Sequence, residues 1–158
     1  MDWKSLFFTA DGRISRQNFW IGVLIIFAAN VVLGWIPLIG LVVWAVGMYA
    51  SICISSKRLH DMGKSGWLQL IPFGIGAVLM VIAMVIGGAA MMTGWMMHTN
   101  SYDMNPAAFA GVGAAAGLMG LAGLIGFIFM LWIGLTPGEA GENQYGPPPA
   151  TTTPAPAA

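Results

Sequence analysis

Phe19–Ile54 reads FWIGVLIIFAANVVLGWIPLIGLVVWAVGMYASICI, 36 residues without one charge. A helix rises 1.5 Å per residue, so a straight helix of this length would reach roughly 54 Å. The hydrocarbon core of a bilayer is only about 30 Å thick. The run therefore has to fold back on itself. Gly34-Trp35-Ile36-Pro37-Leu38-Ile39-Gly40 supplies the break, because Pro37 has no amide hydrogen and glycines flank it. Two spans follow, about 19–36 and 38–55, joined by a tight turn. Asn30 is the strongly polar side chain of the first span, and in lipid it is expected to seek a partner on another helix.

Composition agrees with this reading. Of 158 residues, 58% are hydrophobic and 8% charged, whereas a soluble domain carries about 25% charged residues to face water. The class is an all-α membrane protein. Net charge is zero and carries no message about partners, no nucleic-acid partner is expected, and the single cysteine, Cys53, excludes an intramolecular disulfide.

Outward from the first run, residues 1–18 form a charged segment with a short apolar cluster, Leu6-Phe7-Phe8, expected to lie in the interface rather than to be a cleavable leader. Ser15 is placed to cap the first span. Beyond residue 66 come two more uncharged runs, spans of about 67–92 and 109–135, separated by the polar loop 93–108. The membrane domain is thus 19–135, four transmembrane helices as two hairpins. Residues 136–158 form a tail whose proline- and alanine-rich end is expected to be disordered. Trp20, Trp35, Trp67, Trp95 and Trp132 fall near span ends, as in an aromatic belt. With four spans, all six cations (Lys4, Arg13, Arg16, Lys57, Arg58 and Lys64) lie on one side. The positive-inside rule makes that side, and both termini, cytoplasmic.

The stretch between spans two and three, KRLHDMGKSGW, residues 57–67, packs five ionisable side chains into eight positions. Its simplest role is topogenic, with cations snorkelling to lipid phosphates. That role leaves the His60-Asp61 pair and the glycines around Lys64-Ser65 without a purpose. If the second helix runs on to Asp61, Lys57 and Arg58 lie one turn before the carboxylate and can pair with it. Gly63 would end that helix, and Ser65-Gly66 would launch the next. The product is a polar knot suited to a phosphate headgroup or a partner's acidic segment. Gly63-Lys64-Ser65 does not complete a phosphate-binding loop, since Arg58 stands where that motif needs glycine. Nor does His60-Asp61 make a metal centre, because the other histidine, His98, is expected across the membrane.

Gly12-Arg13-Ile14-Ser15-Arg16 with Phe19-Trp20, then Arg58-Leu59-His60-Asp61 with Gly63 and Ser65-Gly66-Trp67, then Asn143 with Tyr145-Gly146-Pro147, occur in that order. In these motifs the chain resembles the small bacterial inner-membrane family named domain of unknown function 805. The resemblance implies four spans in the inner membrane and cytoplasmic ends, and it implies no activity. Members often carry two arginines before the leucine, where Lys57 stands first here. The segment between spans three and four is also longer and richer in methionine than is usual in the family.

The fourth span carries Gly113, Ala116, Gly117, Gly120 and Gly123 at three- and four-residue spacing, a face that lets a helix approach closely. Packing within the monomer is the first expectation, a homo-oligomer seam the second. Met91, Met92, Met96, Met97, His98 and Met104 offer soft ligands, but without a fixed ligand spacing. No metal or other cofactor is expected, and no nucleophile–base–orienter set points to an enzyme. The leading expectation is a non-enzymatic protein that binds an anionic membrane lipid or a protein partner through a cytoplasmic polar face. Its candidate residues are Arg13, Arg16, Lys57, Arg58, His60, Asp61, Lys64, Ser65, Trp67, Asn143 and Tyr145. The alternative is a small oligomeric transporter or channel. Against it, the apolar spans hold none of the ionisable residues that mark ion paths.

Overall fold

The computed structural model describes residues 3–96 and 106–149. Among them run α1 (Trp3–Phe8), α2 (Arg16–Leu33), α3 (Ile39–Asp61), a 3₁₀ turn (Gly66–Gln69), α4 (Leu70–Met96) and α5 (Pro106–Leu135). The described chain is otherwise irregular, with one isolated bridge between Asn143 and Gly146. Four stretches, Arg16–Leu33, Ile39–Asp61, Gly66–Met96 and Pro106–Leu135, are long and apolar enough to cross a membrane. The expected loop residues Met97, His98 and Met104, and the expected disordered end 150–158, lie outside the described residues.

Local chemistry sets the helix ends. Ser15 is extended (φ −68°, ψ 160°), and its side chain accepts from Asn18 N at 3.3 Å, which starts α2 before the apolar run begins. Between α2 and α3 the chain reverses through residues 34–38. Ile39 N donates to Pro37 O at 2.8 Å across Leu38, which is held at φ 66° and ψ −49°. That is a γ-turn of the strained, positive-φ kind. It gives the reversal its abruptness, and α3 resumes at once with Gly40 N donating to Ile36 O at 2.7 Å. At its other end α3 outlasts the apolar run by about two turns and carries Lys57, Arg58, His60 and Asp61 in helical register.

The chain divides into two compact units, described residues 3–69 with 130–149, and residues 70–129. In the first, α2 and α3 form an antiparallel hairpin and α1 packs against α3. Its fully buried side chains, Phe19, Cys53, Ile54, Arg58, Leu59 and Ile133, collect at the charged end of the hairpin. Further along, the aliphatic residues of the hairpin are largely exposed, as lipid-facing surfaces are. Asn30 does not bond across to another helix as expected. Its Nδ2 donates to Ile26 O of its own helix at 2.9 Å, while a Cβ at Gly47 would stand 3.0 Å from it.

In the second unit α4 and α5 run antiparallel and meet through small residues. A Cβ at Gly111 would stand 2.5 Å from Ala90 Cβ, one at Gly87 3.1 Å from Ala115 Cβ, and one at Gly94 3.4 Å from Ala108 Cβ. This is the close approach that small side chains permit. It is made in a different register from the one the spacing suggested. At Gly113, Gly117, Gly120 and Gly123 a Cβ would meet nothing within 4 Å, so within this unit those positions are not the ones that meet α4.

Candidate functional site

The last turns of α3 build the site. Arg58 and Asp61 are three residues apart on one helix face, and Arg58 Nη1 donates to Asp61 Oδ2. A second guanidinium arrives from the segment before α2, where Arg13 Nε donates to Asp61 Oδ1 at 3.0 Å. The side chains of Arg58, Arg13 and Asp61 are 0%, 1% and 6% exposed. Burying charges costs several kcal/mol per ion unless the geometry is good and the remaining donors and acceptors are met. Here one carboxylate faces two guanidiniums, so backbone carbonyls must meet the surplus positive charge.

Those carbonyls come from helix ends. The last C=O groups of a helix have no intrahelical partner, and the helix dipole leaves them negative. At the end of α5, Ile133 O accepts from Arg58 Nε at 2.9 Å, Leu135 O accepts from Arg16 Nη1 at 3.3 Å, and Thr136 O accepts from Arg58 Nη2. The favour is returned at the end of α3. There Asp61 O accepts from Glu139 N at 2.8 Å and His60 O from Asn143 Nδ2 at 2.9 Å. The end of α5 is thus capped by Arg58 of α3 and Arg16 of α2, and the end of α3 by the segment that follows α5.

Arg13 closes the arrangement over the tail. Its Nη1 donates to Gly141 O at 2.6 Å and Gly146 O at 3.2 Å, and its Nη2 to Glu139 O. The tail itself is shaped by Asn143, whose Oδ1 accepts from Tyr145 N at 2.9 Å and whose backbone pairs with Gly146. That turn lays the Tyr145 ring on His60, with centroids 3.8 Å apart and planes 7° from parallel. His60 Nδ1 lies 3.3 Å from Gly12 O, which ties the ring to the segment before α2.

Two glycines let the tail come this close. Gly63 ends α3 at φ +67°, and a Cβ there would collide with the Glu139 carboxylate. Gly138 has no room either, since a Cβ would overlap the Asp61 carboxylate.

The residues singled out in the sequence therefore separate into two groups. Arg13, Arg58, His60, Asp61, Asn143 and Tyr145 are brought together in one knot. Lys57 is buried with them and donates to Ser5 O of α1, so neither it nor Arg58 snorkels outward. Arg16, Lys64, Ser65 and Trp67 are exposed. Lys64 Nζ lies 5.9 Å from the centroid of the Trp132 ring, within cation–π reach. Ser65 Oγ accepts from Trp67 N at 3.3 Å and starts the 3₁₀ turn, leaving Trp67 77% exposed. Sequence reasoning missed Glu139 and Gly138, as well as the α5 carbonyls. The signal for the carbonyls was present: a helix ending at Leu135 must find donors for its last turn, and buried arginines are such donors. Among the described residues no three or more His, Cys, Asp or Glu gather as a metal group would. Chemically the knot is closed, and among the candidate residues the exposed cations are Arg16 and Lys64.

A model of the family described as "Protein of unknown function (DUF805)" matches residues 7–147, a stretch that includes every member of the knot. Two relatives, the uncharacterized protein YiiR of Escherichia coli strain K12 and that of Escherichia coli O157:H7, are each 29% identical over 147 residues. The aligned part covers 88% of this chain and 84% of theirs. No solved structure matches the chain.

Proposed function

From its membership of the DUF805 family, a family of proteins of unknown function, we propose that this chain is a non-catalytic, multi-pass protein of the bacterial inner membrane that binds anionic phospholipid headgroups on its cytoplasmic face. The observation that carries this reading is the division of the cations. Arg13 and Arg58 spend their donors inside the knot, whereas Arg16 and Lys64 stand exposed around one helix end. Arg16 reaches Leu135 O and Lys64 lies over Trp132, three residues earlier on α5. Two cations beside an indole at the membrane surface suit a phosphate that stays in the headgroup layer. The buried knot holds that rim in place, because Arg16 and Lys64 flank the helix end that Arg58 caps.

The test is lipid selectivity in nanodiscs. Native mass spectrometry should show phosphatidylglycerol retained over phosphatidylcholine of the same chains. Arg16→Gln with Lys64→Gln should lower that preference at least threefold, since each juxtamembrane cation is worth about 1 kcal/mol toward anionic lipid. Equal retention of both lipids by the wild type would overturn the reading.

A further inference from the structure

A cleft of about 280 Å³ opens between α2 and α3 on the membrane side of the knot. Ile26 and Ala29 of α2 form one wall and Val43 and Val46 of α3 the other, while Phe7 and Phe8 of α1 close one end. Its one polar lining side chain is Asn30, whose amide is turned back onto Ile26 O. That hydrogen bond stands in place of the expected cross-helix partner, and the other lining side chains are apolar. The two helices come close at Gly47, where a Cβ would stand 3.0 Å from Asn30 Nδ2 and 3.2 Å from Ile26 Cγ2.

We propose that this cleft is a binding site for one acyl chain of a membrane phospholipid. Depth is the first support. The lining residues of α3 run from Val42 to Ala50, 15 to 7 residues before Lys57. That places them roughly 10–22 Å below the polar end of the helix, within a hydrocarbon core of about 30 Å. The roof is the second. Helix α1 is fixed across the end of the cleft by Lys57 Nζ on Ser5 O and by Tyr49 Oη on Phe8 O at 3.4 Å. A helix of a second copy or of another protein is about 10 Å across, and one lying along the hairpin would meet α1. A flexible chain bends beneath it. Composition is the third: apart from Asn30 the lining side chains are apolar, none is charged, and acyl chains are what surround them in the hydrocarbon core. The inference does not rest on the headgroup reading, because neither Arg16 nor Lys64 lines the cleft.

The experiment uses the full chain in phosphatidylcholine vesicles doped with phosphatidylcholine bearing a mid-chain diazirine. After photolysis, labelled residues are mapped by mass spectrometry. Labelling at Ile26, Ala29, Val43 and Val46 should exceed that at the exposed Val81, Met84 and Val85 of α4 at least fivefold. Ala29→Phe, which fills the cleft from one wall, should abolish the excess, and Val46→Phe should do so from the other should the first variant misfold. Uniform labelling of both sets, or an excess that survives both substitutions, would overturn the proposal. So would crosslinks joining Val46 of two chains in place of lipid adducts. Because the lipid is zwitterionic throughout, failure of the anionic-headgroup reading leaves this result unaffected.

Discussion

Asp61 is the residue on which the polar knot turns, because its two oxygens each hold one guanidinium. Removing the charge leaves two buried cations facing each other across a neutral amide. Breaking a buried pair in this way costs about 3–5 kcal/mol. Asp61→Asn is therefore expected to lower the thermal midpoint of the detergent-solubilised protein by many degrees while leaving its orientation unchanged, since orientation depends on Lys and Arg and hardly on Asp. A midpoint equal to wild type would mean that the arginines are held by carbonyls alone. Gly138→Ala should act in the same direction, because its methyl group would press on the same carboxylate. The pairing of Arg58 with Asp61 was legible from their i, i+3 spacing. That of Arg13 with Asp61 was not, because the two lie 48 positions apart and no local pattern joins them.

At the level of elements, helix ends and helix contacts had different legibility. The break at Pro37 and the cap at Ser15 follow from local chemistry, and both could be read from a few residues. The face of α5 that meets α4 could not, since glycine and alanine occupy several of its faces and spacing alone does not choose among them. A Cβ at Gly111 would run into Ala90, whereas one at Gly117 would meet nothing within 4 Å. Gly111→Leu should consequently separate the helices and lower the thermal midpoint, costing about 1–3 kcal/mol as overpacking does. Gly117→Leu should leave the monomer within about 0.5 kcal/mol of wild type. A reversed order in a side-by-side melt would show that the register is wrong. The γ-turn offers a further check. Leu38 is 79% exposed and strained at positive φ, so Leu38→Gly should raise stability by about 1 kcal/mol, an unusual gain for a glycine. No gain, or a loss, would show that the side chain anchors the turn in lipid.

For the whole molecule, the number of spans came from counting uncharged residues against the thickness of a bilayer, and four helices are long and apolar enough to cross one. The site was legible as a set of residue types but not in its character. A run of cations beside a membrane reads as a surface, and only their partners in the fold, the end of α5 for Arg58, the tail for Arg13 and α1 for Lys57, reveal that these three face inward. We propose the orientation from where all six cations stand, with their side cytoplasmic. Reporter fusions at Gly34 and within 97–105 are expected to report the outer side, and a fusion after Pro149 the cytoplasm. A cytoplasmic signal from 97–105 would overturn the arrangement. The reciprocal capping of α3 and α5 also has a consequence in time. Arg58 leaves the ribosome 75 residues before the Ile133 carbonyl it needs and 78 before that of Thr136. Throughout that interval Arg58 has Asp61 beside it but lacks the two carbonyls that take its remaining donors. The knot can therefore close only after the end of α5 has been made, so the first hairpin waits on a partner that is among the later parts of the chain to emerge.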